Sequence, residues 1–126
     1  MPSRLVATLG AGIRGLSLAA TTVSAHHGWA GQGTEPFELK GTVQTGLSLA
    51  GPHATMQIKD ANGQVWDLTL APPARTEAAG LKEGVIPVGA EIAILGKRNL
   101  DPKRFEVKTE RVTWNGKNYD VYPDRL

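Results

Sequence analysis

Alternation of apolar and polar side chains, period two, recurs along this chain from residue 37 to residue 122. Phe37, Leu39, Gly41 and Val43 alternate with Glu38, Lys40, Thr42 and Gln44. The pattern returns in Ala54–Lys59, Gln64–Leu70, Glu91–Gly96, Phe105–Trp114 and Tyr119–Tyr122. Period two puts successive side chains on opposite faces of a strand, so each segment reads as a strand with one buried face. Turn signals separate them. Asn62-Gly63 and Asn115-Gly116 mark hairpins, because both residue types tolerate positive φ. Pro72-Pro73 stops the third strand, and the helix formers of Ala74–Leu81 follow it. The expected fold is mainly β: a small five- or six-stranded OB-like barrel with one short helix between strands three and four. An open sandwich or another small barrel shares the same pattern.

The first 25 residues do not join this alternation. Arg4 and Arg14 are their only charges, Leu16–Ala25 is apolar or small, and the stretch ends Val23-Ser24-Ala25. A basic start, an apolar middle and a small-residue end form the three-part pattern of a secretory signal. A membrane anchor needs about 20 uninterrupted apolar residues, and Gly10, Gly12, Arg14 and Gly15 break this run. We expect residues 1–25 to be a signal peptide and 26–126 a single OB-like domain, periplasmic or secreted, with 26–36 an irregular arm and no membrane span after processing. Loss of Arg4 and Arg14 takes the basic side chains from 14 to 12, against 12 acidic ones. A neutral domain gives no electrostatic case for nucleic acid, whose binding rests on basic patches. The chain has no cysteine, which excludes disulfides, thiolate metal sites and thiol catalysis.

Several short motifs occur together: HHGW from His26, GPH ending at His53, LGKRNLDP, and the closing KTERVTWNGKNYDVYPDR. In this order they resemble a bacterial exported family, domain-of-unknown-function family 6152, whose members show an HHS-aromatic start and an NPH motif. The resemblance covers nearly all of His26–Arg125. Gly28 replaces the usual serine and Gly51 the usual asparagine. It implies an exported β-barrel-like domain, without an assigned activity.

The candidate site is metal-binding: His26, His27 and His53, the only three histidines. Cleavage after Ala25 makes His26 the terminal residue. Its α-amine and imidazole can chelate one ion, and another imidazole can complete a three-nitrogen, T-shaped site. All-nitrogen, tetragonal donors suit Cu(II), and zinc is the chemical rival. An amine, the next amide nitrogen and His27 form an alternative route. His53 follows Pro52, whose fixed φ stiffens the turn into the second strand. Met56 could give a weak axial contact, although alternation assigns it to packing. The resulting expectation is an exported copper-binding protein that sequesters or delivers Cu(II), with the metal ion and an envelope protein as partners. The alternative is a metal-free cell-envelope interaction or small-ligand-binding module. No catalytic motif is present, so whether the chain is an enzyme stays open, with binding the simpler reading. The sequence does not specify the oligomeric state. Two further features are weighed as bland: Trp29, Trp66, Trp114, Tyr119 and Tyr122 as core rather than stacking platform, and Lys97, Arg98, Lys103 and Arg104 as solvated strand ends.

Overall fold

The strand from Phe37 to Ser48 (β1) is too long for one partner in a small sheet, and it serves two. Its first half pairs antiparallel with β4 (Glu91–Arg98), from Phe37 opposite Gly96 to Thr42 opposite Glu91. Its second half pairs with β2 (Thr55–Lys59), from Thr42 opposite Lys59 to Ser48 opposite Thr55. Register shifts after Val43 and Thr45 curl the strand between these partners, as bulges do. Gly41 lies at the change of partner, where a Cβ would stand 2.6 Å from the Lys59 carbonyl oxygen. Only glycine admits so close a strand crossing.

This computed structural model describes residues 28–126. The signal-type segment, His26 and His27 lie outside the described residues. The chain divides into two units, Met1–Gly31 and Gln32–Leu126; of the first, the described residues Gly28–Gly31 form a turn.

The remaining elements are β3 (Val65–Thr69), α1 (Pro73–Ala78), β5 (Glu106–Trp114), β6 (Lys117–Asp120) and a 3-10 turn, Pro123–Arg125. The sheet runs β3-β2-β1-β4-β5-β6. It closes on itself because β5 also pairs with β3, in parallel, with Asp67, Leu68 and Thr69 opposite Glu106, Val107 and Lys108. Five strands therefore make a mixed barrel of OB-like form, and β6 extends it. The single short helix follows β3, as the pattern predicts. Val43, Met56, Ile58, Leu68, Ile94, Val107 and Val112 fill the interior. Met56 is thus a packing residue.

The two Asn-Gly signals resolve differently. Asn115 and Gly116 both take positive φ, 53° and 77°, the requirement of a two-residue primed hairpin turn. The β2–β3 connection is longer. Asp60 Oδ1 accepts hydrogen bonds from the Asn62 and Gln64 amides, and only Gly63 there takes positive φ, 83°. An aspartate-centred turn replaces the primed turn.

In β5 the alternation breaks. Leu95 faces Arg111, but the adjacent Gly96 faces Thr109, so Glu110 is the extra residue of a bulge. Its carbonyl accepts from the Val121 and Tyr122 amides. A Cβ on Gly96 would meet the Lys108 carbonyl oxygen at 2.2 Å, so glycine is needed at this crossing too. The bulge leaves Val107, Lys108, Thr109 and Glu110 all buried.

Candidate functional site

His53 stands just before β2, on the stretch that leads in from Gly51 and Pro52. Across the parallel seam lies Lys108, opposite Thr69 on β3 and Lys97 on β4. Lys108 Nζ is 3.3 Å from His53 Nε2. An ammonium can only donate, so this contact leaves the His53 lone pair on Nε2 and the proton on Nδ1. Burial first, and the Lys108 charge second, hold the imidazole below its ordinary pKa. Neutral imidazole is therefore favoured at neutral pH, the form that ligates metals.

Lys108 is 5% exposed. Burial pushes its pKa down; Glu106 opposes that shift and Arg125 adds to it. Its ammonium lies 5.8 Å from the centre of the Tyr122 ring. Tyr122 is itself buried, and burial raises its pKa. Arg75 of α1 stacks over the other part of this cluster, 4.7 Å from the Tyr122 ring centre, and pairs with Asp124 of the 3-10 turn. His53, Lys108 and Tyr122 thus form one polar cluster drawn from the β2 entrance, the barrel seam and the C-terminal turn.

Among the described residues no three His, Cys, Asp or Glu side chains gather in a way that could hold a metal ion. His53 is the one sequence-predicted ligand that lies within them. Sequence reasoning assigns Tyr122 to the core, where it lies, and misses Lys108. Alternation gives Lys108 an exposed face, and only the closing of β5 on β3 brings it to the β2 entrance.

The four cations near the β4–β5 turn do not form one patch. Lys97 Nζ donates to both carboxylate oxygens of Glu110, at 3.1 and 3.0 Å. Arg98 lies over the rings of Trp66 and Phe105, 4.9 and 5.5 Å from their centres, and donates to the Pro102 carbonyl. Lys103 and Arg104 are exposed. Trp66 packs tilted on Phe37 and edge-on to Phe105, and its indole N–H donates to Asp60 at 2.9 Å. With its own exposure at 6%, Trp66 belongs to the core, as do Tyr119 and Tyr122. Gln32 bridges to Asn99 and donates from its side chain to the Lys97 carbonyl.

Among the described residues no helix is long and apolar enough to cross a membrane. No protein-family model matches the chain, and no curated protein matches it. Among solved structures, the chain is similar to the crystal structure of the ZRD-deleted mutant of TiaS in complex with agmatine, at 12% identity and a TM-score of 0.51. The likeness covers 69% of this chain but 26% of that one, so the chain spans about a quarter of that protein. At this identity what the two share is a fold.

Proposed function

We propose that the chain is an exported copper-binding protein, periplasmic or secreted, that sequesters Cu(II) or delivers it to an envelope partner. His26 supplies its α-amine and imidazole after processing, and His27 or His53 supplies a further imidazole. The motif resemblance to domain-of-unknown-function family 6152 supports the exported, histidine-led part of this reading. The observation that carries the reading is the state of His53: a neutral imidazole on the barrel, with its lone pair directed by a neighbouring donor. Copper is cargo here and not a resident catalyst.

Lys108 then acts as a counterweight. A metal ion at Nε2 displaces the ammonium from its 3.3 Å contact, so the same side chain that orients the ring weakens its hold on a dication. That combination suits a carrier that must release what it binds.

The test is intact-mass analysis of the exported protein in native buffer, with and without one equivalent of Cu(II). The expected species starts at His26 and retains one copper. Extending the terminus by one residue should weaken binding sharply, and zinc should compete poorly. A different terminus, or no retained copper, defeats the reading. Retention unchanged by the added residue and by His53→Ala leaves no role for the amine or for the barrel ligand.

A further inference from the structure

A second site lies on the outer face of the same strands, one row along from Lys108. Because Met56, Ile58, Trp66 and Leu68 point inward, alternation turns Gln57 and Asp67 outward, directly opposite one another across β2 and β3. Thr45 on β1 stands opposite Gln57. The three side chains are wired together: Thr45 Oγ1 donates to Gln57 Oε1 at 2.7 Å, and Gln57 Nε2 donates to Asp67 Oδ1 at 2.7 Å. A neighbouring row ends on Glu106, whose two oxygens accept from Thr69 Oγ1 at 3.0 Å and Asn99 Nδ2 at 2.9 Å. Asp67 and Glu106 are themselves opposite residues of the parallel seam.

Two surface depressions of about 300 Å³ each meet at Asp67. One extends toward Thr45, Ser48 and Thr55, and the other toward Lys103 and Phe105. Each reaches the lower end of the size range of ligand pockets, roughly 300–1,000 Å³. Together they form a shallow trough across the face of strands β2 and β3, between the β1–β2 and β4–β5 connections. In OB-type barrels this is the face that receives oligonucleotides or oligosaccharides.

We propose that this trough binds a neutral oligosaccharide. Its polar groups are hydroxyls, planar amides and carboxylates, the set that meets vicinal sugar hydroxyls with both donors and acceptors. The ladder holds them in fixed orientation before any ligand arrives, which lowers the ordering cost of binding. The carboxylates accept charge-assisted hydrogen bonds, the stronger kind. At one end Phe105, 37% exposed, adds apolar surface beside these polar groups. Nucleic acid fits poorly: the cations Lys103 and Arg104 line one end only, two carboxylates stand in the middle of the face, and Trp66 is turned into the core. A strand of phosphates needs a basic groove with exposed stacking rings. This proposal uses different residues from the copper reading and does not depend on it.

The experiment is a titration of the full chain, in the presence of a chelator, followed by amide chemical-shift changes. The probes are chitotetraose, cellotetraose and maltotetraose, with a ten-nucleotide oligo-dT as the polyanion. We expect one of the sugars to shift Gln57, Asp67 and Thr69. Gln57→Ala and Asp67→Ala should each weaken that binding at least tenfold, while Lys59→Ala, on β2 outside the trough, leaves it unchanged. Gln57 and Asp67 are surface residues, and thermal unfolding of each variant verifies that the barrel persists. The proposal is overturned if no sugar shifts these residues, if the shifts survive both substitutions, or if oligo-dT binds the trough and the sugars do not.

Discussion

Lys97 and Lys108 sit directly opposite each other on β4 and β5, yet the barrel treats the two cations in different ways. Lys97 is 17% exposed and meets a carboxylate that is 1% exposed, with two hydrogen bonds to it. Lys108 is buried beside an imidazole and the face of a tyrosine ring, and its pKa falls. The first is a paired charge that holds the β5 bulge in place. The second is a destabilised charge next to the one described histidine. Buried ionisable groups with shifted pKa values mark functional clusters more often than matched ion pairs do. Of the two neighbouring lysines, the less comfortable one lies beside the candidate ligand His53.

The comparison breaks most visibly at Lys97. Lys97→Met leaves Glu110 buried without its cation and should cost about 3–5 kcal/mol in urea unfolding, the usual penalty for stranding one member of a buried pair. Replacing both, Lys97→Met with Glu110→Met, should recover most of that loss, because two apolar residues of similar volume carry no uncompensated charge. A double variant as unstable as the single one would mean that the bulge, not the ion pair, is the critical element.

Lys108→Met should do the reverse for copper. Removing a positive charge a few Å from a bound dication should tighten Cu(II) binding about tenfold, since even in a water-like dielectric such a repulsion is worth ~1–2 kcal/mol. Weaker binding would instead make Lys108 part of an anion site and count against the carrier reading. Competition against a chelator of known affinity reads this directly.

A smaller effect separates the lysines by pH. The folded-state pKa of Lys108 lies below its unfolded value, so between the two the unfolded chain binds more protons. Stability should therefore rise with pH across that window, up to the ordinary lysine value of about 10.4. Tyr122 acts oppositely above its own ordinary value of about 10, because its folded pKa is raised. The difference between the parent and Lys108→Met, in metal-free buffer, isolates the lysine contribution. A difference that is flat with pH would mean that the ammonium is as well solvated folded as unfolded.

The smallest effect belongs to the half-exposed pair Arg111–Asp120. Its guanidinium holds Asp120 below the usual carboxylate range, a contribution present above about pH 4 and lost as the pH falls through the lowered folded value. Arg111→Met should change stability at pH 7 only slightly, as partly exposed pairs do. A larger loss would place this pair in the same class as Lys97–Glu110.

Much of the barrel was legible because its strands are half-buried and alternate, and because prolines and glycines punctuate them. The β5 bulge was legible in principle: Val107 and Val112 are both inward, yet they are five positions apart, and an odd offset puts both on one face only if one residue is extra. Reading FEVKTERVTW as unbroken alternation hid that, and with it the burial of Lys108 and Glu110. Glu110 turns to Lys97 for the same reason. Arg98 and Lys97 looked like solvated strand ends because sequence shows charge but not the ring or carboxylate awaiting it. His53 was legible as a residue, but its lysine neighbour was not, because they meet only where β3 and β5 run parallel, 55 positions apart in the chain.

That parallel seam also orders the birth of the molecule. β5 alone among the described strands bonds three others, β3, β4 and β6, and it leaves the ribosome only after β1 to β4. Until residues 106–114 emerge, β3 and β4 present open hydrogen-bonding edges that invite pairing with other chains. Long-range pairings of this kind also form slowly. A nascent chain halted after β4 is therefore predicted to be sticky, and its vulnerability should end when β5 arrives.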